Sequence, residues 1–322
     1  ESGAKLPDGT IVTIPLHRLK VRILPKKATE ANIVKLLNDY LNKQPTYTPD
    51  TQEQTTQNTK HGVVFIGDLH IGANVKAILH TPDYNLARLL DYVAQCASLV
   101  NSYRYAQVSV FILGDIIESF TGLNHKNTWQ ELSLYGVEAI KAAYKLITQW
   151  FLATLLNLQH VYIIGGNHDR TSEHMDLDVR GGAAGMLAFM LQEKGYNVSY
   201  HPLLISQTID GLHYIATHGN FGLSKFDTGQ TLFKYGRQDM YNIILQAHKH
   251  TREGSRGMGK KTVQYNEFKT VELDDLNYRK LTIAPMITGN FYSQSLGYNS
   301  TAGFTLIENS GTGKPTVHDY CF

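Results

Sequence analysis

Clusters of aspartate, asparagine and histidine recur at five places between residues 67 and 250, most of them beside glycine. Their imidazole nitrogens and carboxylate or amide oxygens are ligand types that borderline divalent metals prefer. The adjacent glycines allow backbone turns to approach one another closely. The candidate metal ligands in these clusters are Asp68, His70, Asp115, Asn167, His218, His248 and His250.

The number of candidate ligands indicates a centre with two metal ions. A single divalent ion takes about four to six ligands, and the clusters offer more than that. At a separation of about 3.5 to 4 Å, two ions share a bridging carboxylate and act together on a phosphoryl group. Asp115 lies in the middle of the set in the sequence, and we expect it to be that bridge.

Each cluster directly follows a short apolar run of the kind that forms buried strands. Helical spacing of apolar residues predicts helices at 86–100 and 132–156, so strands and helices alternate as in an α/β protein. The carboxyl ends of strands in such sheets border a crevice where ligands bind, and we expect the clusters to meet there. Strands are predicted at 63–66, 108–113, 161–164, 212–216, 243–245, 281–284 and 303–307.

The chain divides into three segments by composition. A turn signal at Asp8-Gly9 and apolar runs from Ile11 predict a strand or hairpin, and a short helix is expected after Thr29, so residues 1–42 form a small β/α appendage. Residues 43–60 are rich in Thr and Gln and are predicted to be a polar linker. Residues 61–322 form the main domain.

Length and composition exclude several classes of protein. With 322 residues, 42% hydrophobic and 18% charged residues and a net charge of +2, the chain is neither disordered nor a wholly basic nucleic-acid sleeve. No apolar run is long enough to span a membrane, and the first residues lack the apolar core of a secretory signal. Two distant cysteines form no disulfide framework, which favours a reducing, cytoplasmic location.

The ordered elements D-x-H, G-D, G-N-H-D, H and H-x-H resemble the motifs of the calcineurin-like metallophosphoesterase superfamily over residues 61 to about 250. The resemblance implies an α/β fold in which a sandwich of two mixed β-sheets is flanked by helices, here with the N-terminal appendage added. It implies one metal held by Asp68, His70, Asp115 and His250. The second metal would be held by Asp115, Asn167, His218 and His248.

The resemblance also implies hydrolysis of a phosphoester by a hydroxide that bridges the two metals. His168 would be the unligated histidine beside the leaving group, oriented by Glu118 or by Asp169, and able to donate a proton to the departing oxygen. Manganese is the expected metal, with iron and zinc as alternatives.

Two positions depart from the family pattern. Ala247 replaces the glycine of the usual G-H-x-H element, which is a small change. Protein phosphatases of the superfamily carry G-D-x-x-D-R, whereas this chain has Glu118 and Ser119 at the last two positions and so lacks the phosphate-gripping arginine. Repair nucleases of the Mre and Sbc kind carry histidine where Glu118 stands, so no subfamily is assigned.

The missing arginine and a basic segment beyond the last cluster favour a phosphodiester substrate, with DNA or RNA as a candidate. The alternatives are a phosphomonoesterase or nucleotide hydrolase and, from another class, a non-catalytic metal-binding scaffold. The appendage is a candidate site for a protein partner, and no membrane partner is expected. The candidate substrate-binding residues are Arg252, Arg256, Lys260 and Lys261, in what is expected to be a solvated loop.

Overall fold

The structure is a computed structural model that describes residues 58–79, 81–124, 128–174, 177–220, 228–250, 277–295 and 301–322, and the strands at 2–5, 11–14, 253–257, 261–266 and 269–273. The chain forms two compact units, Glu1–Asp39 and Tyr40–Phe322. In the first unit, β1 (Ser2–Lys5) and β2 (Ile11–Ile14) pair antiparallel. The helix expected after Thr29 and most of the expected linker lie outside the described residues.

The second unit contains two mixed β-sheets and a separate hairpin. Its strands are β3 (His61–Ile66), β4 (Gln107–Leu113), β5 (Leu158–Ile164), β6 (Val198–His201), β7 (Leu204–Ile209), β8 (Leu212–Thr217), β9 (Tyr241–Gln246), β10 (Glu253–Gly257), β11 (Lys261–Asn266), β12 (Lys269–Leu273), β13 (Tyr278–Thr282), β14 (Gly303–Asn309) and β15 (Pro315–Cys321).

The first sheet has the order β15-β14-β3-β4-β5-β6. Neighbouring strands from β3 to β6 are parallel, whereas β14 runs antiparallel to β3 and to β15. The second sheet has the order β10-β13-β9-β8-β7, with β8, β9 and β13 parallel and antiparallel strands at both edges. In both sheets the parallel strands are neighbours, so their carboxyl ends lie side by side.

The two sheets pack face to face on an apolar core. The rings of Phe65 and Phe111 stack with centroids 4.9 Å apart, and Phe111 stacks on Tyr162 at 4.4 Å. Tyr214 of β8 meets Phe65 across the interface at 5.6 Å, which joins the two sheets. Burial of these rings and of the aliphatic side chains around them drives the packing of the two sheets.

Helices cover both outer faces of the sandwich. Helix α1 packs against β14 and helix α3 against β5 and β6, while Leu232 of α4 packs on Ile215 and Ile244 of the second sheet. This arrangement confirms the α/β sandwich of two mixed sheets flanked by helices. The helices are α1 (Leu86–Ser102), α2 (Gly136–Lys145), α3 (Gly182–Glu193), α4 (Thr228–Tyr235) and α5 (Phe291–Ser295), with short 3₁₀ turns at Thr128–Glu131 and Leu152–Thr154.

Two expectations about elements are corrected. The helix expected at 132–156 begins only at Gly136, whose φ of +60° suits glycine, and it becomes a π-helix at Leu146–Phe151. The segment expected as a solvated basic loop contains the strands β10 and β11. Strand β10 is an edge strand, where charged side chains are common because they discourage pairing with other chains.

Within the described part of the chain, no helix combines the length and the apolarity that a membrane crossing requires.

Candidate metal centre

The structure brings the seven candidate ligands together at one edge of the sandwich. Asp68 and His70 follow β3, Asp115 follows β4, and Asn167 follows β5 in the first sheet. The remaining three follow strands of the second sheet, because His218 comes after β8 and His248 and His250 come after β9. All five strands are parallel within their sheets, and the crevice between their carboxyl ends collects the side chains.

The backbone at this edge adopts conformations that non-glycine residues rarely use. The φ angles of five candidate ligands lie in the left-handed region, at a cost of about 1 kcal/mol or more each. Such strain persists only where the surrounding structure enforces it, and it concentrates at functional sites. The five residues are Asp68 (51°), His70 (44°), Asp115 (49°), His248 (68°) and His250 (49°).

Backbone hydrogen bonds enforce this arrangement. The N–H of Asp68 donates to the Gly114 carbonyl at 3.1 Å, and the N–H of His70 donates to the Asp115 carbonyl at 2.9 Å. These bonds lock the loop after β3 onto the loop after β4. At Gly166 a Cβ atom would lie 2.1 Å from the backbone nitrogen of Asp115, so glycine is required there for the loops to touch.

The first group of donor atoms comes from Asp68, His70 and His250. The Nε2 atoms of the two histidines are 3.3 Å apart, and Asp68 Oδ1 lies 3.7 Å from His250 Nε2. Nδ1 of His70 donates to Glu118 Oε2 at 2.6 Å, because a carboxylate can only accept. In the neutral ring the Nε2 atom of His70 therefore carries a lone pair that is directed into the group.

The second group comes from Asp115, His218 and His248. Nδ1 of His218 donates to the Leu113 carbonyl at 2.6 Å, which fixes this ring in the same tautomer. Nε2 of His218 then lies 3.0 Å from Asp115 Oδ2 and 3.1 Å from Asn167 Oδ1. Asn167 thus joins the second group, as the family resemblance implies.

Asp115 lies between the two groups. Its Oδ2 atom is 3.0 Å from Nε2 of His218 and 3.9 Å from Nε2 of His70. Its Oδ1 atom accepts a hydrogen bond from the backbone N–H of His168 at 2.7 Å. A carboxylate with one oxygen facing both groups is in the position that a bridging ligand needs.

The pKa values of the four ligand histidines reflect the charges around them. Burial alone would lower the pKa of His70, but Glu118, Asp115 and Asp68 raise it to about 9. The pKa of His218 is likewise raised to about 9, because Asp115 and Asp68 outweigh its burial. Burial and neighbouring imidazoles lower the pKa of His248 to about 4, and the same causes hold the pKa of His250 well below its ordinary value. The centre therefore attracts positive charge, and a divalent cation would displace the protons.

The donor set fits two divalent cations. Imidazole nitrogens and carboxylate or amide oxygens converge from five loops, two of the rings are held in the tautomer that ligation requires, and the nearby carboxylates favour cations. Asp68, His70 and His250 would hold one cation, and Asn167, His218 and His248 the other, with Asp115 between them.

Glu118 contacts both His70 and His168. Its carboxylate accepts a hydrogen bond from His70. Its backbone carbonyl accepts a hydrogen bond from Nδ1 of His168 at 2.8 Å, and its Oε1 atom lies 3.5 Å from the same nitrogen. The Asp169 carboxylate accepts hydrogen bonds from the backbone N–H groups of Gly166, Ile116 and Ile117, at 2.8, 2.8 and 3.2 Å. Asp169 therefore braces the loops after β4 and β5.

Sequence reasoning overlooked two polar residues beside the centre. The side-chain amide of Asn124 donates to the carbonyls of His168 and Arg170, at 3.2 and 3.0 Å, which clamps the His168 loop. The amide nitrogen of Asn220 is buried and has no hydrogen-bond partner among the residues that the structure describes. Asn220 could have been identified from the sequence, because it follows His218 by two residues. No feature of the sequence identifies Asn124.

The four predicted substrate-binding residues are not tested by the geometry. Arg252 and Lys260 lie outside the described residues. Arg256 and Lys261 lie in β10 and β11, for which the structure describes the backbone alone.

The family model for the calcineurin-like phosphoesterases matches residues 61–277. No curated protein matches the chain significantly. Among solved structures, the chain is similar to the zinc complex of Vps29 from Entamoeba histolytica, with 13% identity and a TM-score of 0.35 over 81% of this chain and 98% of that one.

Two other similar structures are those of enzymes. YfcE, a phosphoesterase from E. coli, is 12% identical with a TM-score of 0.35 over 81% of this chain and 98% of that one. The purple acid phosphatase PPD1 from yellow lupin seeds is 12% identical with a TM-score of 0.38 over 85% of this chain and 54% of that one. These similarities are weak, whereas the family model covers more than half of the chain and every residue of the candidate centre. The chain belongs to the calcineurin-like phosphoesterase family.

Proposed function

We propose that this protein is a hydrolase that uses two divalent cations, with manganese favoured, to cleave phosphodiesters. The observation that supports the proposal most is the convergence of seven ligand side chains, with Asp115 between the two groups and His168 beside them. Two bound cations would activate a water molecule as the nucleophile and offset charge on the phosphoryl oxygens. The family supports phosphoester hydrolysis, and the preference for diesters is part of the proposal.

His168 is the residue we assign to proton transfer. Its Nδ1–H group donates to the Glu118 carbonyl, so Nε2 is the atom that exchanges a proton with substrate. Its ring lies edge-on to His70 with centroids 4.5 Å apart, beside the first ligand group. Burial lowers the pKa of His168, although Asp115 and Glu118 oppose the shift, so the free imidazole is neutral near pH 7. In its protonated form, His168 would donate the Nε2 proton to the departing oxygen.

The preference for diesters has an electrostatic reason. A monoester dianion carries one more negative charge than a diester and gains more from a nearby arginine. At the position of the phosphatase arginine, this chain has Ser119, whose side chain is buried and whose hydroxyl accepts the N–H of Gly122 at 2.8 Å. The Ser119 hydroxyl therefore stabilises the loop after β4.

The proposal is tested by hydrolysis assays on the manganese-loaded protein. We expect faster cleavage of bis-p-nitrophenyl phosphate than of p-nitrophenyl phosphate. His168→Ala should reduce kcat by about 10²-fold or more through loss of the proton donor. Asp115→Asn should cost more than His168→Ala, because both ligand groups lose their shared carboxylate.

The control for these substitutions is Asp239→Asn, which removes an exposed carboxylate. Faster monoester cleavage would overturn the diester preference in favour of a phosphomonoesterase. A larger loss from His168→Ala than from Asp115→Asn would argue against Asp115 as the bridge. Metal-loaded protein that cleaves neither ester would favour the non-catalytic scaffold.

A further inference from the structure

Large apolar side chains are exposed on three segments near the candidate metal centre. One segment contains Leu79, the second contains the side chains between Leu123 and Tyr135, and the third contains Phe291. Exposed apolar patches next to a site commonly contact ligands, because a soluble protein gains nothing from leaving them in water. Two of the exposed rings in these segments are Trp129, 60% exposed, and Phe291, 52% exposed. The exposed side chains of the three segments are Leu79, Leu123, Trp129, Tyr135 and Phe291.

The segment with Trp129 is fixed to the loop that follows His70. Ala73 forms an antiparallel bridge with Leu132, and the N–H of Ser133 donates to the Gly72 carbonyl at 2.7 Å. A Cβ atom at Gly72 would lie 2.3 Å from the Leu134 carbonyl oxygen, so only glycine permits this approach. The 3₁₀ turn Thr128–Glu131 that carries Trp129 is thus tied to the loop after β3.

The segment with Phe291 is fixed to the same loop. The N–H of Ile287 donates to the carbonyl of Asp68 at 3.1 Å, which places the chain leading to α5 against a candidate ligand. Asn290 and Ser293 cap α5, because each backbone N–H of this pair donates to the side chain of the other, at 2.9 and 2.8 Å. Phe291 is therefore held on a short, well-anchored helix.

A direct contact joins the two aromatic segments. The Glu131 carboxylate accepts the backbone N–H of Phe291 at 3.2 Å, and Glu131 lies two residues after Trp129. Burial raises the pKa of Glu131; the bond from Phe291 opposes that shift, and the carboxylate of Glu118 adds to it. Glu131 is therefore within electrostatic reach of the residue that orients His70 and His168.

We propose that Trp129 and Phe291 form a subsite for a nucleobase carried by the phosphoester substrate. Their rings are exposed, lie on segments joined by a hydrogen bond, and are anchored to the loops of Asp68 and His70. Rigid aromatic side chains stack on planar bases with little loss of conformational freedom, and each base has a face that can stack. This inference rests on the proposed function, since it names the group attached to the phosphate that the centre would cleave.

The test uses the fluorescence of Trp129. The chain has two tryptophans, and Trp150 lies in the π-helix Leu146–Phe151, so Trp150→Phe leaves Trp129 as the single reporter. Adding Asp115→Asn to that variant separates binding from hydrolysis. The probes are adenosine, AMP, ribose 5-phosphate and n-octyl phosphate. We expect saturable quenching by adenosine and AMP, and little effect of the other two.

A matched substitution tests Phe291. Phe291→Ala in the same background should raise the Kd for adenosine about tenfold, within the range that loss of one stacking ring produces. Phe189→Ala is the control, because Phe189 on α3 is an exposed phenylalanine outside these segments, 44% exposed. An equal effect of the two substitutions would overturn the proposed subsite.

Two further results would also overturn the proposed subsite. One is the absence of saturable quenching by adenosine. The other is quenching by n-octyl phosphate as strong as that by AMP, which would indicate an apolar surface for alkyl chains. Failure of the proposed function is distinguishable from these results. If the metal-loaded wild type hydrolyses no phosphoester while adenosine still quenches Trp129, the subsite stands and the hydrolase proposal falls.

Discussion

At the scale of single residues, the candidate centre depends on groups that orient the ligands. Glu118 and the Leu113 carbonyl fix the tautomers of His70 and His218 through hydrogen bonds of 2.6 Å. The sequence predicted the ligands because each is a metal-binding type at the end of an apolar run. It could not show that Glu118 binds His70 as well as His168, because that contact joins residues 48 apart along the chain.

We predict that Glu118→Ala lowers the affinity for manganese about 10- to 100-fold, because His70 loses the partner that fixes its ring and raises its basicity. Glu118→Gln should recover part of the loss, since its amide oxygen still accepts from Nδ1. Isothermal titration calorimetry measures the affinities. Glu138→Ala is the control, with a side chain that is 67% exposed. Equal affinities in Glu118→Ala and wild type would refute an orienting role for Glu118.

At the scale of elements, central strands were predictable and edge strands were not. β4 is buried over six successive residues and reads as a continuous apolar run. β15, at a sheet edge, contains Thr316, His318 and Asp319, and half-buried sequences of this kind resemble loops. The sequence therefore located the ends of the central strands better than it located the strands at the sheet edges. What the sequence did not reveal is how closely the ligand loops approach one another.

Gly114 tests that approach, because its φ is +81° and a Cβ atom would lie 2.8 Å from the Gly166 nitrogen and 2.9 Å from Nδ1 of His218. We predict that Gly114→Ala lowers the free energy of unfolding by about 3 kcal/mol through strain and overpacking. Gly311, with a φ of +86° and open space around it, is the matched control, and Gly311→Ala should cost about 1 kcal/mol. Urea denaturation measures both. Equal losses would mean that the close contact of the loops is unimportant for stability.

At the scale of the whole sandwich, the site exists because two sheets bring their strand ends together. The sequence indicated α/β layers, and the two mixed sheets followed only from the family resemblance, because strand order depends on contacts between distant residues. One such contact joins distant parts of the first sheet. Glu308 of β14 accepts a hydrogen bond from the Tyr105 hydroxyl at 2.7 Å and forms an ion pair with Lys60 at 2.5 Å.

The Glu308 contact predicts a pH dependence of stability. Burial would raise the pKa of Glu308, but Lys60 and Tyr105 lower it below its ordinary value of 4.5. The ionised form is favoured by folding, so its stabilisation is present above about pH 4.5 and is lost as the pH falls through the folded-state pKa. Glu308→Gln should therefore cost about 1 kcal/mol at pH 7 and less at pH 3.

Urea denaturation at the two pH values measures this difference, and Glu193→Gln, at an exposed position on α3, is the control. A loss that is as large at pH 3 as at pH 7 would show that Glu308 stabilises the sheet by packing and not by its charge.

We propose that side chains from five loops hold two divalent cations around Asp115. Equilibrium dialysis against manganese, followed by elemental analysis, measures the number of bound ions. We expect two manganese ions per wild-type chain and at most one in Asp115→Asn. Wild-type protein that retains no manganese, or Asp115→Asn protein that still retains two, would contradict the proposal.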